Sequence, residues 1–275
     1  MIALLAGLAA VEIVLPLLLW LARDRLIFFP DPDPPAEAGL PYFGAAVRVV
    51  RVVRPDGRRL AAYDARPAGA AEGGPVVLFL HGNAGNLANR ASLLGDFVRG
   101  TGCRLLAPDW SGYGGNEGSP SEEEVVADGL AAYDHLRAEG VEAGRIVLYG
   151  ESLGGAVALA VAAERPCAGV VAQSSFSSLS SMALRIYPWL PLTALLARGS
   201  FPSADRARGL TVPLLVAHGT RDSIVPFAEG RALAEAAGAR GELLPVEGAD
   251  HNDFLSVAGE AYLRGLGDRF RRWTE

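Results

Sequence analysis

The chain has 275 residues, half of them hydrophobic, which allows one large or two small domains with a sizeable core. A net charge of −6 argues against nucleic acid as a partner, since that would call for a clustered basic surface. All 25 basic residues are Arg, and no His/Cys cluster has metal-ligand spacing, so neither a metal nor an organic cofactor is expected.

Met1 to Ala22 is apolar apart from Glu12, and as a helix would be roughly 33 Å long at about 1.5 Å per residue, the hydrocarbon thickness of a bilayer. Residues 1–29 are therefore expected to form a membrane-anchor helix and the start of a linker. A secretory signal peptide fits less well: nothing basic precedes the run, and Arg23-Asp24-Arg25 stands where a cleavage site belongs. A surface-lying helix would need a polar face, which is missing. Pro16 and Glu12 tax a lipid-facing helix, so docking on the protein's own domain or on a second subunit is the competing reading. With Arg23 and Arg25 on its carboxyl side, the anchor would keep the following domain on the cytoplasmic face.

Pro30-Asp31-Pro32-Asp33-Pro34-Pro35 admits neither helix nor central strand and reads as a linker to a domain spanning 30–275. Ala46 to Arg54 and Arg59 to Arg66, joined through Pro55-Asp56-Gly57, read as a β-hairpin. After them come short apolar runs without alternation, at 76–80, 104–107, 146–149, 169–172 and 214–217, as expected of strands buried on both faces. Helical stretches separate them: Ala88 to Arg99, Ser121 to Glu139 with a capping box, Gly155 to Glu164, and Phe227 to Ala237. Alternating strand and helix implies an α/β fold, a mainly parallel sheet with helices on both faces, whose ligands sit beyond the carboxyl ends of the strands. Residues 174–210 break the alternation. Prolines at 188, 191 and 202 cut this stretch into pieces, which favours a small helical cap over one crossover helix. Cys103 and Cys167 border apolar runs and read as buried free thiols.

Gly150-Glu151-Ser152-Leu153-Gly154-Gly155 joins a strand to a helix in the pattern of a nucleophile elbow. A serine hydroxyl attacks at neutral pH only if a base takes its proton. Of four histidines, His81 and His218 lie against strand ends and His135 lies inside a helix. His251, in a polar loop after the last strand-like run, is the best base. Asp222 follows a strand and is the best acid to orient it, whereas Asp250 and Asp253 are tethered too closely and read as solvated. Oxyanion donors are expected from the Leu153 amide and, in the loop 81–86, from the Asn83 amide, with Ala84 as the alternate. Glu151 either lines the pocket or anchors the elbow.

Taken together, HGNAGN at 81–86, the 109–118 loop, GESLGG at 150–155, HGTRDSIVP at 218–226, Asp250-His251-Asn252 and Leu26-Ile27-Phe28-Phe29-Pro30 resemble the α/β-hydrolase superfamily. The likeness is to its membrane-anchored serine-hydrolase branch, the α/β-hydrolase-domain lipases and depalmitoylases. Trp110 and Asn116 depart mildly from that pattern. The resemblance implies eight strands ordered 1-2-4-3-5-6-7-8, with Cys103 and Cys167 opening non-adjacent ones. The activity expected is a serine hydrolase of carboxylic esters or thioesters, working on acyl or lipid-like substrates beside a membrane. A serine aminopeptidase or amidase, and a catalytically idle membrane module, are the alternatives.

Overall fold

The computed structural model describes residues 2–35, 45–69 and 73–275. It opens with α1 (Ile2–Leu21), α2 (Arg23–Ile27) and a short β1 (Phe29–Pro30). The hairpin follows as β2 (Ala45–Val53) and β3 (Arg59–Pro67), turned through Gly57, whose positive φ of 89° suits a residue without Cβ. Then come β4 (Val76–Leu80), β5 (Ala84–Gly85), α3 (Ala91–Thr101), β6 (Arg104–Pro108), α4 (Glu122–Ala138), β7 (Ile146–Glu151), α5 (Leu153–Glu164) and β8 (Gly169–Gln173). The chain closes with α6 (Leu179–Ile186), α7 (Pro191–Leu196), α8 (Ser203–Arg208), β9 (Leu214–Gly219), α9 (Phe227–Ala236), β10 (Gly241–Val246) and α10 (Phe254–Thr274).

Eight strands form one sheet in the order β2-β3-β6-β4-β7-β8-β9-β10, parallel except where β3 meets its two neighbours. This is the expected order. The unalternating apolar runs have a direct cause: Val76, Leu78 and Leu80 enter one core with α4, α5 and α9, while Val77 and Phe79 enter another with α3 and α10. Each such side chain, fully buried, is worth about 1.5–3 kcal/mol. Both cysteines are buried and free. Ser121 caps α4 by accepting from the Glu124 amide at 3.2 Å, but Glu124 turns its own side chain to Arg54 instead of closing a capping box.

Between β8 and β9, α6, α7 and α8 make the cap. Its base is fastened to the main body by the buried carboxylate of Glu229 on α9. That group accepts from the Ser177 amide (3.0 Å) and hydroxyl (2.6 Å) and from Ser181 Oγ (2.6 Å), and it pairs with Arg185.

At the amino terminus the structure corrects the sequence reading. Met1 and the side chains of residues 2–10 lie outside the described residues. Among the described residues no helix is long and apolar enough to cross a membrane. The spanning anchor, and the cytoplasmic-face orientation that depended on it, are not supported. Instead α1 packs on α7, burying Pro16 and half-burying Leu15, Leu19 and Trp20. The Pro-rich stretch is not a free linker either. The Asp31 carbonyl accepts from the Gly114 amide at 2.9 Å and the Asp33 carbonyl from Asn86 Nδ2 at 2.8 Å.

Candidate active site

Strand β7 runs into Ser152, whose φ of 53° and ψ of −115° are strained for any residue with a Cβ. The turn is possible because of its neighbours. A Cβ on Gly150 would lie 2.1 Å from the Gly154 carbonyl oxygen, and one on Gly154 would lie 1.9 Å from that of Leu80. The Ser152 amide donates to the Gln173 carbonyl at 2.8 Å, which ties the turn to β8. Its hydroxyl thus stands at the start of α5, where the first amides have no partner within the helix and the helix dipole is positive.

Ser152 Oγ lies 3.1 Å from His251 Nε2, and His251 Nδ1 lies 2.8 Å from Asp222 Oδ2. The three residues, distant in sequence, form one hydrogen-bonded line, with Asp222 buried and the His251 side chain only 10% exposed. Asp222 Oδ1 accepts from the Ile224 and Val225 amides at 3.0 and 2.7 Å. Burial pushes the Asp222 carboxyl upward, but hydrogen bonds from His218 and His251 outweigh it and hold the group well below the usual carboxylate range.

Three features of this line escape a reading by sequence. His218 is fully buried, donates from Nε2 to the Val225 carbonyl at 2.8 Å, and stands 3.3 Å from Asp222 Oδ2, so the acid faces two imidazoles. The spacing of His218 and Asp222 around one strand-end loop was the available signal. Asp250 is not merely solvated: Oδ1 accepts from the Ser223 and His251 amides, both at 2.7 Å, splinting the His251 loop to the Asp222 loop. Asp253 accepts from the Asp250 amide at 2.7 Å and steadies the same loop.

The 81–86 loop is braced from several sides. Buried His81 faces Asp109 Oδ1 at 3.0 Å and the Gly82 carbonyl at 2.7 Å. Asn83 Nδ2 donates to the Ile27 carbonyl at 2.6 Å, and the Asn83 carbonyl accepts from the Phe29 amide (2.9 Å) and Tyr113 Oη (2.6 Å). Asn116 fills its own niche, accepting from the Ala61 amide at 2.8 Å and donating to the Asp109 carbonyl at 3.0 Å. Asn83, Ser152 and Leu153 line one cavity of about 390 Å³, within the range of small-molecule sites. Its other walls are mostly apolar, from Trp20 and Phe29 on one side to Phe176, Met182 and Phe201 on the other. Glu151 does not line it. That carboxylate pairs with Arg90 at 3.4 Å and borders a second, more polar cavity of about 800 Å³ beside His251. His135 on α4, 3.9 Å from Glu139, lines neither cavity. Among the described residues no group of three or more His, Cys, Asp or Glu side chains is placed to hold a metal ion.

Such an arrangement can take a proton from a serine hydroxyl, hold the resulting imidazolium against a carboxylate, and accept an apolar group next to the nucleophile.

A family described as "alpha/beta hydrolase fold" matches residues 75–205. The chain is 39% identical over 251 residues to an uncharacterized protein of Mycobacterium tuberculosis, across 90% of this chain and 87% of that one. It is 37% identical over 180 residues to alpha/beta hydrolase domain-containing protein 17C of Homo sapiens, across 65% of this chain and 53% of that protein. The chain thus spans about half the length of that relative. Of solved structures, an esterase of Pyrococcus furiosus is similar with a TM-score of 0.70 at 18% identity, over 90% of this chain and 99% of the esterase. An esterase of the bacterial hormone-sensitive lipase family follows at 0.64 and 24%, over 83% and 85%. At these identities the structural likeness speaks to the fold.

Proposed function

Because this chain belongs to the α/β-hydrolase superfamily, a hydrolase fold it shares with esterases, we propose that it is a serine hydrolase cleaving carboxylic esters or thioesters of lipid-like acyl groups. The observation that carries this reading is the Ser152–His251–Asp222 line opening into an apolar cavity. His251 Nε2 takes the proton of Ser152 Oγ as the hydroxyl attacks the acyl carbonyl carbon. The Leu153 and Asn83 amides donate to the oxyanion that forms. Collapse breaks the bond to the leaving alcohol or thiol, which departs with the proton held by His251. Water then repeats the attack on the acyl-serine, giving the free acid and restoring Ser152. Asp222 stays ionised throughout and stabilises the imidazolium.

The cavity also favours the acyl group over an amine. Among the described residues its lining contains no carboxylate, and the acidic candidate beside the nucleophile, Glu151, is paired with Arg90 elsewhere. An aminopeptidase would need acidic side chains to read a substrate amine. Lipid-like substrates are supported by the mouth of the cavity, where the lining residues Leu26, Phe29, Ile186 and Ile224 are each at least half exposed.

The test is turnover of p-nitrophenyl esters beside aminoacyl amides. Esters are expected to be cleaved and amides not, with Ser152→Ala losing about 10⁴-fold or more of kcat. Undiminished ester turnover by Ser152→Ala contradicts the reading.

A further inference from the structure

We propose that the amino-terminal segment 16–30 is a working part of this site: the end of α1 is the wall that selects acyl-chain length, and β1 fixes that wall to the oxyanion loop. The inference rests on the acyl-Ser152 reading above and goes on to name what sets its specificity.

Pro16, Leu19 and Trp20 fall at i, i+3 and i+4, which places them in one stripe of α1, and Arg23 opens α2 just after it. All four line the cavity that contains Ser152. The other side of the helix, Leu17, Leu18 and Leu21, is exposed at 45%, 57% and 71%. Met182 and Ile186 of α6 line the same cavity. An acyl chain leaving Ser152 therefore packs between the cap and the amino-terminal helix, and the hydrophobic gain per methylene depends on both walls. The Arg23 guanidinium lies 4.1 Å from the centre of the Trp20 ring, and among the described residues it is the only cation in the lining.

The wall is held in register with the chemistry. Phe28 is 4% exposed and buried in the main core, which pins the segment between helix and strand. Next to it, β1 pairs in parallel with β5, Phe29 opposite Ala84. The Phe29 amide donates to the Asn83 carbonyl, and Asn83 Nδ2 returns a bond to the Ile27 carbonyl. Asn83 is the residue whose own amide is assigned to the oxyanion. The backbone from the α1 stripe through β1 is thus hydrogen-bonded to Asn83, which joins the acyl wall to the oxyanion donor.

The experiment uses the full chain and p-nitrophenyl esters from acetate to dodecanoate, with Leu19→Trp to fill the cavity, Leu19→Ala to enlarge it, and Leu21→Trp on the outward face as control. The dodecanoate-to-acetate ratio of kcat/KM is expected to fall about tenfold or more in Leu19→Trp, to rise in Leu19→Ala, and to stay within about twofold of wild type in Leu21→Trp. Leu19→Ala only removes atoms, and it carries the test if the bulkier side chain is not accommodated. A wild type that cleaves esters, with both Leu19 variants sharing its profile, overturns the inference while leaving the serine-hydrolase reading intact. A wild type that cleaves no ester overturns that reading and the inference with it.

Discussion

Asp222 is the residue on which the charge of the site turns. Its carboxyl is pushed up by burial and pulled down further by His218 and His251, so the net direction is well below the ordinary range. A carboxyl with a lower pKa folded than unfolded stabilises the fold above its unfolded value of about 4, and that contribution is lost as pH falls through the folded value. Asp222→Asn is therefore expected to be less stable than wild type by a margin that is constant above about pH 5 and shrinks below about pH 4 in urea titrations. A margin that grows on acidification contradicts this account. The same variant is expected to lose on the order of 10⁴-fold in kcat. The thiols make a second prediction. Burial pushes Cys167 up to about 12 and raises Cys103 as well, so the thiolate needed for alkylation is suppressed in both. Iodoacetamide at pH 8 is expected to leave the folded protein unmodified and to label both cysteines in urea, read by intact mass.

At the scale of elements, two junctions carry more than their size. The elbow between β7 and α5 has no space for a Cβ at Gly154, because the clashing atom is the Leu80 backbone carbonyl and not a side chain that can move. Gly154→Ala is expected to cost more than about 4 kcal/mol, read by denaturant melts and by loss of soluble protein. The second junction ties the β2–β3 hairpin to α4. Arg54, 7% exposed, reaches Asp128 Oδ1 at 2.6 Å and Ser111 Oγ at 3.1 Å, while Asp128 Oδ2 accepts from the Ser111 amide at 2.7 Å. Removing the cation leaves the buried Asp128 carboxylate without its counter-charge, so Arg54→Met is expected to destabilise by about 3–5 kcal/mol. Much at this scale is legible in consecutive residues: the apolar runs, the Ser121 cap, the Gly57 turn and the glycines around Ser152 are all local. Partnerships across distance are not. Nothing near Glu124 in sequence says that its side chain goes to Arg54. Nothing near Asp250 says that it will splint Ser223, because both choices are made by packing of elements far apart in the chain.

In the whole molecule, two faces of the site divide the work. The sheet delivers Ser152, Asp222 and His251 to the carboxyl ends of β7, β9 and β10, while the cap and the amino-terminal helix close an apolar cavity above them. The strand order is implied by the family resemblance, and Ser152, Asp222 and His251 stand out as candidates because each follows an apolar strand-like run. The place of α1 does not. Read as sequence, the apolar run 1–22 meets the length rule for a bilayer, whereas the packing of α1 on α7 is a tertiary contact that no local pattern displays. The Leu26–Pro30 stretch likewise stands out by resemblance alone, and its pairing through β1 with the 81–86 loop is a tertiary contact. The central claim is that Ser152 is the nucleophile of this assembled site. It is tested most directly by treating the full chain with a fluorophosphonate and mapping the adduct by mass spectrometry. One phosphonyl group is expected, on the peptide containing Ser152, and none in Ser152→Ala. An adduct that persists in Ser152→Ala contradicts the account.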